Sequence, residues 1–454
     1  MAAGRRHPRG HPPLNPAESN APRYPLSGEE FRRAIATGHG RARIHVERFG
    51  AQEFRDEILD AATMCKVYDP QCEGTRGDWL AELCLAAGVE QAVVALPVPG
   101  DNWDRQHRAA LLKEFAVRGV AGAREALYAC FGRAEHSCDV HAVEEILALD
   151  GEAGLLFVAR QIGAGVAEGG GPWISSYHLS NFDEQHGEGT ARALLDRQAP
   201  SDPRIRAYLD AVDLDLANDT RVANLPNEAR ETVEQVIEAI RTNTQEYGAM
   251  WLRRWVMRAS RVELEQVLAS LLPLTHPRAL EAGLRCLGGS SLPPLDPIVF
   301  ELTRHADDGV RYWAARVLSK HSLPGVRTCG LEALARGDLV VALEILTRSA
   351  QVDDVDTLVA ALRPGADADE EHGVCSGILD LFEHSPEVRD PRLALHVYER
   401  TPCSLCREDA VEWMQLQRAC PPWLVEECAH DANADIRELA ARGSRPSDPP
   451  AAVS

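Results

Sequence analysis

Lysine is almost absent: Lys66, Lys113 and Lys320 are the whole supply, so arginine carries nearly all of the positive charge. GC-rich bacterial genomes impose such a bias, and it has no functional meaning by itself. Positive charge is scarce overall, with 48 Lys and Arg against 69 Asp and Glu and a formal charge of −21. A sequence-independent grip on nucleic acid needs cations to displace counterions from phosphate, so this balance argues against one and leaves only local basic patches. Long apolar runs are missing too; nothing approaches the roughly 18 residues of a membrane-spanning helix. The basic start Arg5-Arg6 runs into proline and polar residues, not the apolar stretch of an export signal. The twelve cysteines show no regular spacing. Without an export signal they read as reduced thiols in the cytoplasm, most of them small core residues. No alternating strand pattern, phosphate-cradling glycine loop, Gly-x-Ser-x-Gly elbow or nucleotide fingerprint is found.

What the sequence does have is helical periodicity. Residues 294–320 show it best: a helix, an acidic turn and a second helix. In that second helix Val310, Trp313, Ala314, Val317 and Leu318 fall at the spacing of a buried stripe. Such a pair cannot bury its face alone, so it requires neighbours. Residues 1–26 are proline-rich and read as a disordered tail. Ser27-Gly28-Glu29-Glu30 is a capping box that opens the first helix. An irregular helical domain follows over 27–257, with Gly88, Gly119 and Gly151 where helices should end. It is interrupted by a long loop over 168–187, where no helical period is visible. From 258 to 443 helical pairs recur with turns marked by Pro, Gly, Asp or Asn, and 444–454 is a second disordered tail.

Three copies of one signature lie in the second half. Val310-Arg311, Cys406-Arg407 and Ile436-Arg437 align, with Trp313-Ala314-Ala315 matching Leu439-Ala440-Ala441 and Asp431 six residues before Arg437. The arginines are 30 residues apart in the last two copies and 96, three times 32, between the first two. This resembles the short HEAT-like repeats of bacterial solenoid proteins, over about residues 258–443. The resemblance implies an all-α, armadillo-like α-solenoid in which turn acid and helix arginine link successive repeats, a role that falls on Arg311, Arg407, Asp431 and Arg437. Such arrays serve as scaffolds, enzyme domains and nucleic-acid binders, so the fold alone says little of function.

Candidate chemistry is sparse. Cys403 and Cys406 suggest half a zinc site, but Cys420 lies about 25 Å away along one helix at ~1.5 Å per residue, and Cys428 returns only halfway. The pair therefore reads as core, with a redox pair near a helix N-terminus as the alternative. His141 beside Glu144 and Glu145 has the one-turn spacing of di-iron helices, yet no His-Glu dipeptide of the HEAT-like hydroxylase kind occurs. In the long loop, Trp173, Tyr177, His178, Phe182, Asp183, Glu184 and His186 are aromatic and polar residues suited to contact a protein partner. Trp251 to Arg261 is a basic and aromatic cluster whose Arg253, Arg254, Arg258 and Arg261 offer a nucleic-acid patch, as in HEAT-like DNA glycosylases. No catalytic residue, cofactor or metal is assigned. The expected function is that of a non-enzymatic cytoplasmic scaffold whose acidic surface steers a protein partner with basic segments, with a HEAT-like enzyme of the DNA glycosylase type, acting through that basic patch, as the alternative.

Overall fold

Helix starts where the capping box places it. The Ser27 hydroxyl accepts from the backbone N–H of Glu30 at 3.3 Å, and the Glu30 carboxylate takes the Ser27 N–H at 2.8 Å. Order begins slightly earlier than the sequence suggests. Leu26 is buried with Phe31, the N′ and N4 positions of a hydrophobic staple, and donates its N–H to His45 Nδ1 at 3.1 Å. The computed structural model describes residues 21–133, 140–169, 176–223, 231–243 and 251–443. Among them the chain is all-α, with 26 α-helices and one two-stranded ribbon pairing Gly132–Arg133 with Val140–His141. None of the helices among the described residues is long and apolar enough to cross a membrane.

Contacts divide the chain into two units, Asn20–Asn227 with Pro421–Ser454, and Glu228–Cys420. In the first, the apolar faces of successive helices share one core that includes Phe31, Phe54, Trp79, Leu111, Leu127, Leu155 and Tyr208. Phe31 and Phe54 stack with ring centres 4.1 Å apart. Gly88 and Gly119 have positive φ just past helix ends, and Gly151 has it too. At Gly151 the long helix Val143–Ala167 bends, so the two helices expected around that residue run on through a kink.

The last helical pair, Pro422–Cys428 and Ala434–Gly443, belongs to this unit and packs on its first helices. The approach is close: a Cβ on Gly40 would stand 1.9 Å from the Glu427 carbonyl oxygen, so only glycine fits. Ala432 N donates to Gly38 O and Trp79 Nε1 to His430 O, both at 2.9 Å. Beneath them Glu427, with none of its surface exposed, meets Arg41 Nε at 2.6 Å and His39 Nδ1 at 3.1 Å.

In the unit Glu228–Cys420, helices come in pairs joined by short turns. Their second members, Pro277–Gly288, Asp308–Leu318, Leu339–Leu346, Ala368–His384 and Ser404–Leu416, pack successively on one another. Each carries a buried stripe; in Asp308–Leu318 it is Val310, Ala314, Val317 and Leu318, while Trp313 is half-buried against Arg285. Arginines bridge neighbouring pairs at near-constant separation: Arg311 to Asp338 and Arg327 to Asp354, each 27 residues on and 2.9 Å away, and Arg316 to Glu344, 28 residues on at 3.1 Å. A constant rung length is the geometric counterpart of a repeated unit.

One expected feature differs. The segment 168–187 is not wholly a loop, because Tyr177–His186 is an α-helix ending at Gly187. Leu179, Phe182 and His186 supply its i, i+3, i+7 face, and the polar residues between them hide that period from a sequence reading.

Candidate functional site

The second helices of Glu228–Cys420 bring carboxylates together. Asp308–Leu318 contributes Tyr312 and Arg316, Leu339–Leu346 contributes Glu344, Ala368–His384 contributes Asp380 and Glu383, and Ser404–Leu416 contributes Asp409 and Glu412. One-turn spacing puts Asp380 beside Glu383, and Asp409 beside Glu412. Stacking then aligns these pairs across helices. Arg316 holds both oxygens of Glu344, at 3.1 and 3.3 Å. Beyond that pair the row is acidic. Burial raises the Asp380 carboxyl above its ordinary range, and Glu344 adds to the effect against partial relief from Arg316. Asp409 is raised as well, by burial, then by Glu412, Cys403 and Glu383. Two carboxyl groups on adjacent helices are thus held where their charges are disfavoured.

Residues singled out in the sequence scatter. Trp173 lies outside the described residues. Phe182 is core, stacked on His186 with ring centres 4.0 Å apart. Asp183 caps the following helix, Thr190–Gln198, by accepting the N–H groups of Gly189 and Ala191 at 2.8 and 2.7 Å. His178 is half-buried, and burial lowers its pKa. Tyr177 and Glu184 stay exposed, the tyrosine within reach of Glu144. In the basic cluster, Arg254 and Arg258 are exposed, Arg261 pairs with Glu265 at 3.0 Å, and the side chain of Arg253 lies outside the described set. Trp255 is buried and donates to Glu231 O, so its ring is unavailable for base stacking.

Arg311 and Arg437 share one kind of backbone contact. Arg311 Nη1 donates to the carbonyls of His305 and Ala306, six and five residues before it, at 3.1 and 3.2 Å. Arg437 Nη1 does the same to Asp431 and Ala432, at 2.7 and 2.9 Å. Identical clamps in two copies give the aligned signature a common physical basis. Asp431 is fully buried and accepts the N–H of Asn433 at 2.9 Å. Arg407, in the third copy, is also fully buried.

Two groups of metal-ligand types also form, neither found by reading sequence. A ring nitrogen of His372 and the sulfurs of Cys403 and Cys406 lie within 4.8 Å of one another. Glu371, Cys375 and His396 form a second such set. The signal was available: His372-x-x-Cys375 repeats the spacing of Cys403-x-x-Cys406 and begins 31 residues earlier.

No family model matches the chain, and no curated protein matches it. Among solved structures, an engineered protein from the Northeast Structural Genomics Consortium is 14% identical over 91% of this chain and 98% of that one, with a TM-score of 0.22. A superposition that poor carries no argument about fold or function.

Proposed function

We propose that the chain is a non-catalytic binding scaffold of the short HEAT-like repeat type, which takes a protein partner with basic segments on the acidic row of its stacked helices. The observation that carries this is the grouping of Glu344, Asp380, Glu383, Asp409 and Glu412 on second helices that pack successively on one another. Like charges placed side by side cost stability, and a fold that compensates them only in part gains when a further cation arrives. Arginine or lysine side chains of a partner would relieve that repulsion, and the excess of carboxylates over the whole chain would speed their approach. The cytoplasm, with its reduced thiols, is the compartment this reading assumes.

A labelled oligo-arginine peptide tests it by fluorescence anisotropy at low and moderate salt. Asp380→Asn with Asp409→Asn should weaken binding by about five- to tenfold, since each exposed charge contact contributes up to about 1 kcal/mol. The salt dependence should flatten. Asp353→Asn with Glu387→Gln removes the same charge from exposed positions elsewhere and should change little. Equal losses in both double variants would reduce the effect to net charge and sink the assignment to this row. The same titration with a DNA oligonucleotide checks the basic patch at Arg254 and Arg258.

A further inference from the structure

Two pairs of side chains, each one helical turn apart, meet in the unit Glu228–Cys420. His372 and Cys375 belong to Ala368–His384; Cys403 is the N-cap of Ser404–Leu416, and Cys406 stands in its first turn. These two helices pack on each other. Cys375 and both members of the Cys403/Cys406 pair are buried thiols, while His372 is half-buried and gives the cluster a way out to solvent.

Local rules are broken at these positions. In the other copies of the signature, the residue three before the buried apolar position is a polar cap: Asp307 accepts from Val310 N at 3.1 Å, and Asn433 accepts from Asp435 N at 2.8 Å. Cys403 takes that place and makes no side-chain cap hydrogen bond, a loss of about 1 kcal/mol of helix stability. Cys406 replaces Val310 and Ile436, where packing asks only for an apolar side chain. Neither helix propensity nor core packing explains two thiols there, beside the imidazole of His372 from Ala368–His384.

We propose that His372, Cys375, Cys403 and Cys406 form a structural zinc site that ties Ala368–His384 to the N-terminus of Ser404–Leu416. Tetrahedral zinc, with sulfur at about 2.3 Å and nitrogen at about 2.0 Å, needs donor atoms roughly 3.5–3.8 Å apart. The ligand atoms of His372, Cys403 and Cys406 already lie within 4.8 Å of one another, so rotamer changes bring them to coordination distance. Cys375 stands one helical turn after His372 on the same helix, which puts it forward as the fourth ligand; its sulfur now sits with Glu371 and His396 and must turn from them to reach the ion. The second set is the poorer one. Its Glu371 carboxylate is already engaged by Arg400 at 2.9 Å and by the Gly365 N–H at 2.8 Å.

The hydrogen bond between the two thiols, and then burial, raise Cys406 far above the usual thiol range, and burial pushes Cys375 up to about 12, so both favour the protonated form. A zinc ion inverts that preference. Binding exchanges Zn²⁺ for three thiol protons released to solvent, leaving three thiolates and one neutral imidazole around the ion, with net charge −1 and no electron transferred.

Cobalt titration of the full-length, chelator-treated protein reads the site directly. One Co²⁺ per chain should give a thiolate-to-metal charge-transfer band and the ligand-field bands of tetrahedral geometry, all displaced by Zn²⁺. Cys406→Val, which restores the apolar residue of the other copies, should cut the charge-transfer intensity by about a third or more while far-ultraviolet helicity is kept. Cys375→Ser should cut charge-transfer intensity by about a third, as one of three thiolates is lost. Cys286→Ser, at a buried thiol of Pro277–Gly288, should leave the spectrum intact. A wild-type protein without the charge-transfer band, or a Cys406→Val variant of undiminished intensity, overturns the site; unchanged intensity in Cys375→Ser overturns the fourth ligand.

Discussion

Glu427 is the most exacting test of how this fold is held. It lies in Pro422–Cys428, has no exposed surface, and meets Arg41 at 2.6 Å and His39 at 3.1 Å, both within Asn20–Asn227. Glu427→Ala removes the carboxylate and leaves the nearly dry guanidinium of Arg41 without it. Breaking a buried pair from one side costs about 3–5 kcal/mol. Restoring electroneutrality should undo most of that: Arg41→Met with Glu427→Leu should come back to within about 1–2 kcal/mol of wild type, because apolar replacements of a buried pair are often neutral. With two units, one global unfolding free energy is ill-defined, so hydrogen exchange is the proper assay. Amides of Gly40–Phe49 and Pro422–Cys428 should exchange at least about 100-fold faster in Glu427→Ala, each 1.4 kcal/mol of opening free energy being tenfold in rate. An acceleration below about fivefold, or a double variant no better than the single one, would show that the pair does not hold the chain's last helices on its first.

Legibility in the sequence followed the range of the interactions. The capping box at Ser27 and the stripe of Asp308–Leu318 depend on neighbours within a turn or two, and both were readable. So was the kinship of Val310-Arg311 with Ile436-Arg437, since the clamp on the carbonyls six and five residues back is itself local. Tyr177–His186 was missed because its apolar face is short and its histidine packs as an aromatic ring. Nothing in the composition of 421–443 announces that it packs with residues far earlier in the chain; Gly40 is legible as a close-approach glycine only once Glu427 is seen above it. The same holds for the acidic row and for the thiols. Asp380 and Asp409, like His372 and Cys406, are brought together by the stacking of successive pairs, and spacing within one helix cannot reveal a partner on the next.

Two further outcomes follow from the same contacts. Arg311→Lys keeps the charge but cannot span Asp338 and the carbonyls of His305 and Ala306 together, so it should cost about 1–2 kcal/mol and speed exchange in the turn before Asp308–Leu318. Arg437→Lys should act likewise on the turn at Asp431; stability equal to wild type in both would reduce the clamp to incidental geometry. Glu145 makes the pH dependence. Its side chain is buried, takes a hydrogen bond from Gln106 Nε2 at 2.8 Å, and is pushed by desolvation from 4.5 up to about 7. A carboxyl group raised on folding binds more protons in the folded than in the unfolded chain between those two values. Its contribution is therefore fully present below about pH 4.5 and is lost as pH rises through about 7. The span corresponds to about 3 kcal/mol at about 1.4 kcal/mol per pH unit. Glu145→Gln, which cannot ionise, should remove that loss and be more stable than wild type at pH 8, with the difference shrinking toward pH 5. Thermal melts of both proteins across this range decide the matter: parallel pH profiles would mean that Glu145 titrates as an ordinary carboxylate.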